Sequence, residues 1–464
     1  MEPKMTCTII NNTILKPSSF SSTQFILNSL VPFTIFDEIA LDVHVAMLHA
    51  FKPPMPSNEI LKNALAKVLI HFPHLAGRLT MDEGGHQCIL LNNAGIRLIE
   101  TYVPTTLVDQ MKSFESSSND VSHLHPPTEG IDEILQVQLN RYTCGGVVIG
   151  STGHHRVADG YSWNYFYISW SRLVRGLEID PLPYHNRCAI MIPRKEPRVE
   201  FDHRSNEFQL STTTPGSQHV FYPIEKLFTH FPTDFINKVK AKVTEENFTT
   251  PNQRYSTFEC LLTHVWKKVI QARGMNLNQF SQITVGVNGR GRIKPPVPME
   301  YFGNLVLDAF PKLKAREVIT ENYGYVAKTI HDAISNIDSN YFQSFADFKE
   351  LCKRNGEKLK KSMPAVGNIL CPNIEADNWL RFNFHDLDFG GGPCAFFYPN
   401  VPVEGVLIFL PSNKEGGGID VFTALMSEHL RETEEQNKMI QGTTILAMNG
   451  GDGPYSYAKN STYQ

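Results

Sequence analysis

Apolar positions recur with two different periods along this chain, and the switches between them mark its elements. Met1 to Leu15 alternates polar and apolar side chains and reads as a first strand. From Ser57 to Ile70 the period lengthens, and Ile60, Leu61, Ala64, Leu65, Val68 and Leu69 fall on one helical face behind a Ser57 cap. The chain leaves that helix at Pro73, resumes as a strand, and turns at Gly84-Gly85 into Cys88-Ile89-Leu90-Leu91, a hairpin pattern. Leu135 to Tyr142 alternates like a strand, Gly145 to Gly150 is a Val/Ile run bounded by glycines, and Tyr161 to Leu177 carries apolar residues at helical spacing.

Between Ile190 and Gly216 periodicity is lost among Pro, Arg, Ser and Thr, the pattern of an exposed connection between domains. Beyond it the alternation resumes: a helix from Thr257 to Ala272, a strand at Ile283 to Val287, and a helix from about Arg316 to Ile337. A strand at Val406 to Leu410 and a helix from Ile419 to about Glu435 follow. The pattern predicts an α/β domain over 1–190, a linker over 191–216 and a second α/β domain over 217–441. The tail, 442–464, with its Asn-Gly-Gly-Asp-Gly-Pro run, reads as disordered and without chemistry.

Composition narrows the function classes. A chain of 464 residues, 41% hydrophobic and 19% charged, is long enough for two or three cores and is expected to be a soluble globular protein. Net charge of -4, with no Lys/Arg block, gives no footprint for nucleic acid. No apolar run has the length of a membrane span and no basic leader precedes a continuous apolar stretch, so a cytoplasmic location is expected. The eight cysteines are scattered without paired ligand spacing and read as free thiols. Three glycosylation-type tripeptides, at Asn11, Asn247 and Asn460, read as accidental without a secretory signal.

The candidate chemistry begins at His155-Arg156-Val157-Ala158-Asp159-Gly160. Spacing alone does not distinguish this motif, because His230-Phe231-Pro232-Thr233-Asp234 repeats it; there, a cap-type residue and an early acid at a helix start account for Asp234. His155 instead follows a Val/Ile run and precedes a helical pattern, so it sits in a strand-to-helix turn that can hold a side chain at the mouth of a cleft. A structural histidine in a tight connection is the competing reading. His154, beside it at a strand end, is expected to face the other way. A metal hydrolase finds no helical His-Glu-x-x-His element and no cysteine pair to complete a site.

Far downstream stands Asp388-Phe389-Gly390-Gly391-Gly392. With it, and with Phe72 to Leu79, Tyr255-Ser256-Thr257-Phe258-Glu259, Asn288-Gly289-Arg290-Gly291-Arg292 and Tyr301-Phe302-Gly303-Asn304, the chain resembles, nearly end to end, the BAHD acyltransferases. Members of that family move an acyl group from a coenzyme A thioester to an alcohol or amine. Val31 to Asp37, Asp42 to Ala46, and Leu387 to Gly405 look most like the branch containing agmatine coumaroyltransferases. One departure stands out: the family's downstream signature has Trp between its last two glycines, where this chain has Gly391.

The resemblance implies an α/β fold of two similar chloramphenicol acetyltransferase-like domains, each a mixed β-sheet with helices, joined by a long crossover loop. It implies no permanently bound cofactor or metal, acyl-CoA as co-substrate, and a hydroxycinnamoyl-type transfer to an amine such as agmatine by a monomer. Acyl transfer needs a base whose pKa lies near neutrality, and His155 is the candidate. The resemblance implies that Asp159, next to Gly160, turns away to pair with an arginine, Arg290 or Arg292. It further implies architectural roles for Asp388, Phe389, Gly390, Gly391 and Gly392, and a place near the reacting oxygen for Trp379. Ser256 and Thr257 would lie near coenzyme A, and they also read as a helix N-cap. A guanidinium acceptor needs a carboxylate, for which Asp37, Glu300 and Glu404 are candidates by neighbourhood. An O-acyltransferase acting on an alcohol, and a non-catalytic binding protein on the same fold, are the alternatives.

Overall fold

The computed structural model describes residues 7–18, 26–114, 120–187, 190–208, 222–247, 253–357, 359 and 368–429. The predicted tail at 442–464 lies outside them, as does 209–216 of the predicted linker.

Two large mixed sheets organise the chain. The first runs in the order Thr8–Leu15, Ile96–Val103, Leu135–Tyr142, Val147–His154, His44–Phe51 and Phe396–Pro399. Only Ile96–Val103 and Leu135–Tyr142 pair in parallel. Its last strand comes from far along the chain, with Phe397 opposite His49 and Pro399 opposite Met47. The second sheet runs Val306–Ala309, Phe280–Asn288, Ile374–Asn378, Val406–Pro411, Ile419–Met426 and Ile224–Phe231, with Lys312–Lys314 also paired to Phe280–Asn288. A small sheet of Leu30–Pro32, Gln87–Leu90 and Arg78–Met81 contains the predicted hairpin, turned at Gly85 with φ 75°.

The helices cover these sheets where the apolar stripes direct. Asn58–His71 starts at Ser57, whose Oγ accepts from Ile60 N, and stops where Pro73 opens a 3-10 turn. It packs against Gly160–Val174, and Trp170 Nε1 donates to Leu61 O across that contact. In the second half Thr257–Ala272 buries Phe258, Leu262, Trp266 and Ile270, so this helix is the centre of its core.

Two predicted helices need correction. The stretch from Ile419 is the strand Ile419–Met426, hydrogen-bonded on both edges, to Val406–Pro411 and Ile224–Phe231. Ile419, Val421, Phe422, Ala424 and Leu425 are all buried, because a central strand covered on both faces shows no clean alternation. The predicted helix over Arg316–Ile337 is two, Ala315–Thr320 and Tyr323–Asn336, with Asn322 Oδ1 capping the second through Tyr325 N at 2.8 Å. The described part of the connection is largely exposed, as the sequence predicts, yet it is anchored at several points. Arg194 N and Arg198 N both donate to the buried Asp347, and His203 packs against Tyr341.

Among the described residues no helix is long and apolar enough to cross a membrane, and no group of three His, Cys, Asp or Glu could hold a metal ion.

Candidate active site

The strand Val147–His154 ends immediately before His155, and the helix Gly160–Val174 begins five residues later. The turn between them is pinned through both backbone groups of His155. His155 N donates to Val43 O at 2.9 Å, and His155 O accepts from Asn304 Nδ2 at 3.0 Å. Asn304 is held in turn by Asp37, whose Oδ1 accepts from its N and Nδ2. The His155 imidazole lines a cavity of about 210 Å3 between the two sheets, whose walls include Val45, Met47, Gly160, Trp163, Asn288 and Trp379. His154 turns to the other side, its ring edge-on to His44 and its Nε2 3.4 Å from Asp42. Burial, with His44 and Arg156 adding to it, lowers the His154 pKa to about 4.

Asp159 is the N-cap of the helix, with Oδ1 accepting from Ser162 N at 2.9 Å. Both its oxygens are occupied away from His155. Arg290 Nη1 lies 2.8 Å from Oδ2 and Nη2 lies 3.1 Å from Oδ1, while Leu305 N also donates to Oδ2. Arg290 completes its set with Ser162 Oγ and the carbonyls of Tyr301 and Gly303. Arg292 does something else, since its Nη1 donates to Ile334 O and Ile337 O at a helix end.

Trp379 stacks on Phe382 at 5.4 Å along the same wall, and a Cβ added at Gly160 would come 3.8 Å from the indole Nε1. The glycine therefore leaves the indole N–H beside the start of the helix. Ser256 caps Thr257–Ala272 in a reciprocal box with Glu259, and Thr257 Oγ1 accepts from Lys240; neither lines the cavity.

Asp388 organises a turn of its own, accepting from Gly390 N at 2.7 Å and Gly392 N at 2.9 Å. Phe389 is buried between Phe51 and Trp170. Gly391 explains its own departure from tryptophan: a Cβ there would lie 2.0 Å from Pro54 O and 3.3 Å from Lys52 O. This segment braces the Lys52–Pro54 connection from outside the cavity.

The carboxylates singled out by neighbourhood are not in the cavity. Asp37 is fully buried on Arg187 at 2.8 Å, and Glu404 is fully buried on Arg273 at 2.6 Å and Cys371 N at 2.9 Å. A buried acid in a protein interior needs such a partner, and that requirement decides both positions. Glu300 lies outside the cavity lining as well.

Three other acids do line it: Asp308, Glu375 and Asp377. Adjacent strands bring them together. Gly286 stands opposite Asp308, and Thr284 and Val285 stand beside Glu375 and Ala376, so Asp377 continues the row past Gly286. A side chain at 286 would fill the space between them, because its Cβ would meet Asp377 Oδ1 at 3.7 Å and Asp308 Oδ1 at 4.0 Å. The sequence reasoning missed this triad. Its one visible signal is Glu375 and Asp377, spaced to share a strand face just before Trp379.

Residues 5–440 match the model of the Transferase family. The chain is 42% identical over 405 residues to tryptamine hydroxycinnamoyltransferase 2 of Oryza sativa subsp. japonica, covering 86% of this chain and 91% of that one. It is 36% identical over 414 residues to agmatine hydroxycinnamoyltransferase 1 of the same organism, covering 86% and 91%. Among solved structures, that of vinorine synthase superposes with a TM-score of 0.65 at 19% identity, covering 92% of this chain and 96% of that one.

Proposed function

Because the chain belongs to the BAHD acyltransferases, with acyl-CoA as co-substrate, we propose that it transfers a hydroxycinnamoyl-type acyl group to an amine, with His155 as general base. The fold is that of the family, two chloramphenicol acetyltransferase-like domains of mixed sheet and helices.

The observation that carries the amine reading is the carboxylate triad. Asp308, Glu375 and Asp377 share one cavity with His155, and a wall with this much negative charge attracts a cation and gives an uncharged alcohol no advantage. The names of the relatives agree with it: tryptamine and agmatine are both amines.

The reaction needs no covalent enzyme intermediate. The acceptor nitrogen, as the neutral amine, attacks the thioester carbon while both substrates are held in one cavity, which supplies proximity. His155 takes the proton that the nitrogen loses as the new C–N bond forms. In this reading the Trp379 indole N–H, on the wall of the same cavity, donates to the oxygen that becomes negative in the tetrahedral intermediate. Collapse breaks the C–S bond, and the proton returns to the departing sulfur, giving an amide and free coenzyme A. Asp159 does not relay charge in this scheme, since Arg290 and Leu305 N hold it away from the imidazole; it positions the turn. Ser256 and Thr257, at a helix start that favours phosphate, belong on the donor's path.

The test is free-thiol release from p-coumaroyl-CoA with agmatine, tryptamine and shikimate, for the wild type and for His155→Ala. Amine-dependent release that drops roughly 100-fold or more in the variant is the expected result. Release with shikimate alone would transfer the enzyme to the O-acyl reading, and full activity without His155 would end the general-base assignment.

A further inference from the structure

The His155 cavity has an extension that the reaction itself does not use. Met47, Gly160, Trp163, Trp379 and Phe382 line both the cavity and a recess of about 10 Å3 beyond it, space for one water-sized group. The recess is walled by aromatic side chains, yet two buried polar groups face it, His49 and Asn164.

Each reaches the recess for a local reason. Met47 and His49 alternate with Leu48 and Ala50 along His44–Phe51, so they share the face that carries Val45 and the cavity. Gly160, Trp163, Asn164 and Tyr167 lie at helical spacing on the facing element. His49 is 3% exposed and Asn164 is 8% exposed. His49 Nδ1 and Asn164 Oδ1 have no hydrogen-bond partner among the described residues, whereas the neighbouring Tyr167 hydroxyl is satisfied by Ser151 Oγ at 2.6 Å. Tyr167 and Phe397 hold the imidazole at ring distances of 4.6 and 4.8 Å. Burial lowers the His49 pKa to about 3, so the ring stays neutral and offers one N–H and one lone pair. Buried polar groups in proteins are nearly always paired, and two unpaired ones in a single recess call for a ligand group that completes them.

We propose that this recess takes the ring hydroxyl of an aromatic acyl group, and that His49 and Asn164 select a hydroxylated donor over the same donor without the hydroxyl. A hydroxyl fits on three counts: it is the size of the recess, it is uncharged, and it both accepts and donates. The imidazole N–H donates to the hydroxyl oxygen, and the hydroxyl proton goes to Asn164 Oδ1. A cationic acceptor belongs at the other end, on Asp308, Glu375 and Asp377, so the two ends of the cavity sort the two substrates by charge. This inference rests on the aromatic-acyl transfer proposed above.

The test compares p-coumaroyl-CoA with cinnamoyl-CoA for the wild type, His49→Phe and Asn164→Leu, using one amine acceptor and calorimetric binding of each thioester alongside. The expected wild-type preference for p-coumaroyl-CoA is about tenfold or more in kcat/KM, because loss of the hydroxyl leaves both buried groups unpaired again. Each variant should bring the two donors within about threefold, chiefly by losing the p-coumaroyl reaction, with the cinnamoyl reaction little changed. Equal use of both donors by the wild type, or variants that slow both donors in the same proportion, would overturn the assignment. Thermal melting identifies a variant that fails to fold, in which case the other decides. If no amine is acylated, the parent reading fails separately, and the binding preference between the two thioesters still decides the role of the recess.

Discussion

Arg290 and Asp159 meet through two parallel contacts, 2.8 and 3.1 Å long, with the guanidinium fully buried and the carboxylate 3% exposed. One residue starts the helix after the first sheet's histidine, and the other follows a strand of the second sheet. The pair thus fastens the two halves next to the cavity.

Removing one member leaves the other charged and buried. Asp159→Ala is expected to cost about 3–5 kcal/mol in urea unfolding, and the double variant Asp159→Ala with Arg290→Met to recover part of that loss. An unchanged unfolding midpoint for Asp159→Ala would show that the pair does not join the halves.

Asp377→Asn, Asp308→Asn and Glu375→Gln should each weaken a doubly charged acceptor more than a singly charged one. A hydrogen bond to an ion is worth about 1.5–3 kcal/mol, so kcat/KM for agmatine should fall roughly tenfold or more. Tryptamine, whose far end carries no charge, should lose less. Raising salt should narrow the difference in the wild type. Parallel losses for both amines would remove the triad from acceptor recognition.

Gly391→Ala tests the close approach of two backbones. With its Cβ 2.0 Å from Pro54 O, the variant is expected to lose roughly 1–3 kcal/mol, and Gly391→Trp more. Gly291→Ala is the control: a Cβ there meets nothing within 4 Å, and its stability should stay within about 0.5 kcal/mol of the wild type. Melting temperatures of the three variants against the wild type decide the matter.

Acid should destabilise the fold before its carboxylates protonate. Burial lowers His264 and His49 from 6.5 to about 3, so above pH 6.5 both folded and unfolded chains hold these rings neutral. Below 6.5 the unfolded chain binds protons that the folded chain refuses, and stability falls until about pH 3. Each ring contributes a slope of about 1.4 kcal/mol per pH unit in that window. His264→Phe should make the dependence shallower by one proton, measured by urea unfolding at a series of pH values between 7 and 5. An unaltered slope would place the proton uptake elsewhere.

The local parts of this site were legible in the sequence, and the parts assembled across strands were not. The turn at His155 announces itself because the end of a Val/Ile run, the two histidines and the helical pattern after Gly160 are contiguous. The choice between Arg290 and Arg292 required the fold, since only there do the Ile334 and Ile337 carbonyls claim Arg292. Asp37 and Glu404 stand near suggestive motifs, yet buried acids go where an arginine meets them, and Arg187 and Arg273 are distant in sequence. Asp308 and Asp377 become neighbours only through their pairing with the strand of Gly286, a relationship that no period along the chain records. Ile419–Met426 defeats its local pattern for the opposite reason: the segment is strongly apolar, but on both faces of the strand.

The strand Phe396–Pro399 gives synthesis a role in folding. It closes one edge of the sheet built by the first part of the chain, and its Phe397 sits against His49 on the recess wall. A ribosome releases that edge strand only after most of the polypeptide has emerged. Until then the nascent first half exposes the unpaired rim of His44–Phe51, a segment open to wrong pairing and to chaperones. The wall of this recess is therefore among the last structures the growing chain can complete, and truncated products should lack it however well their earlier helices form.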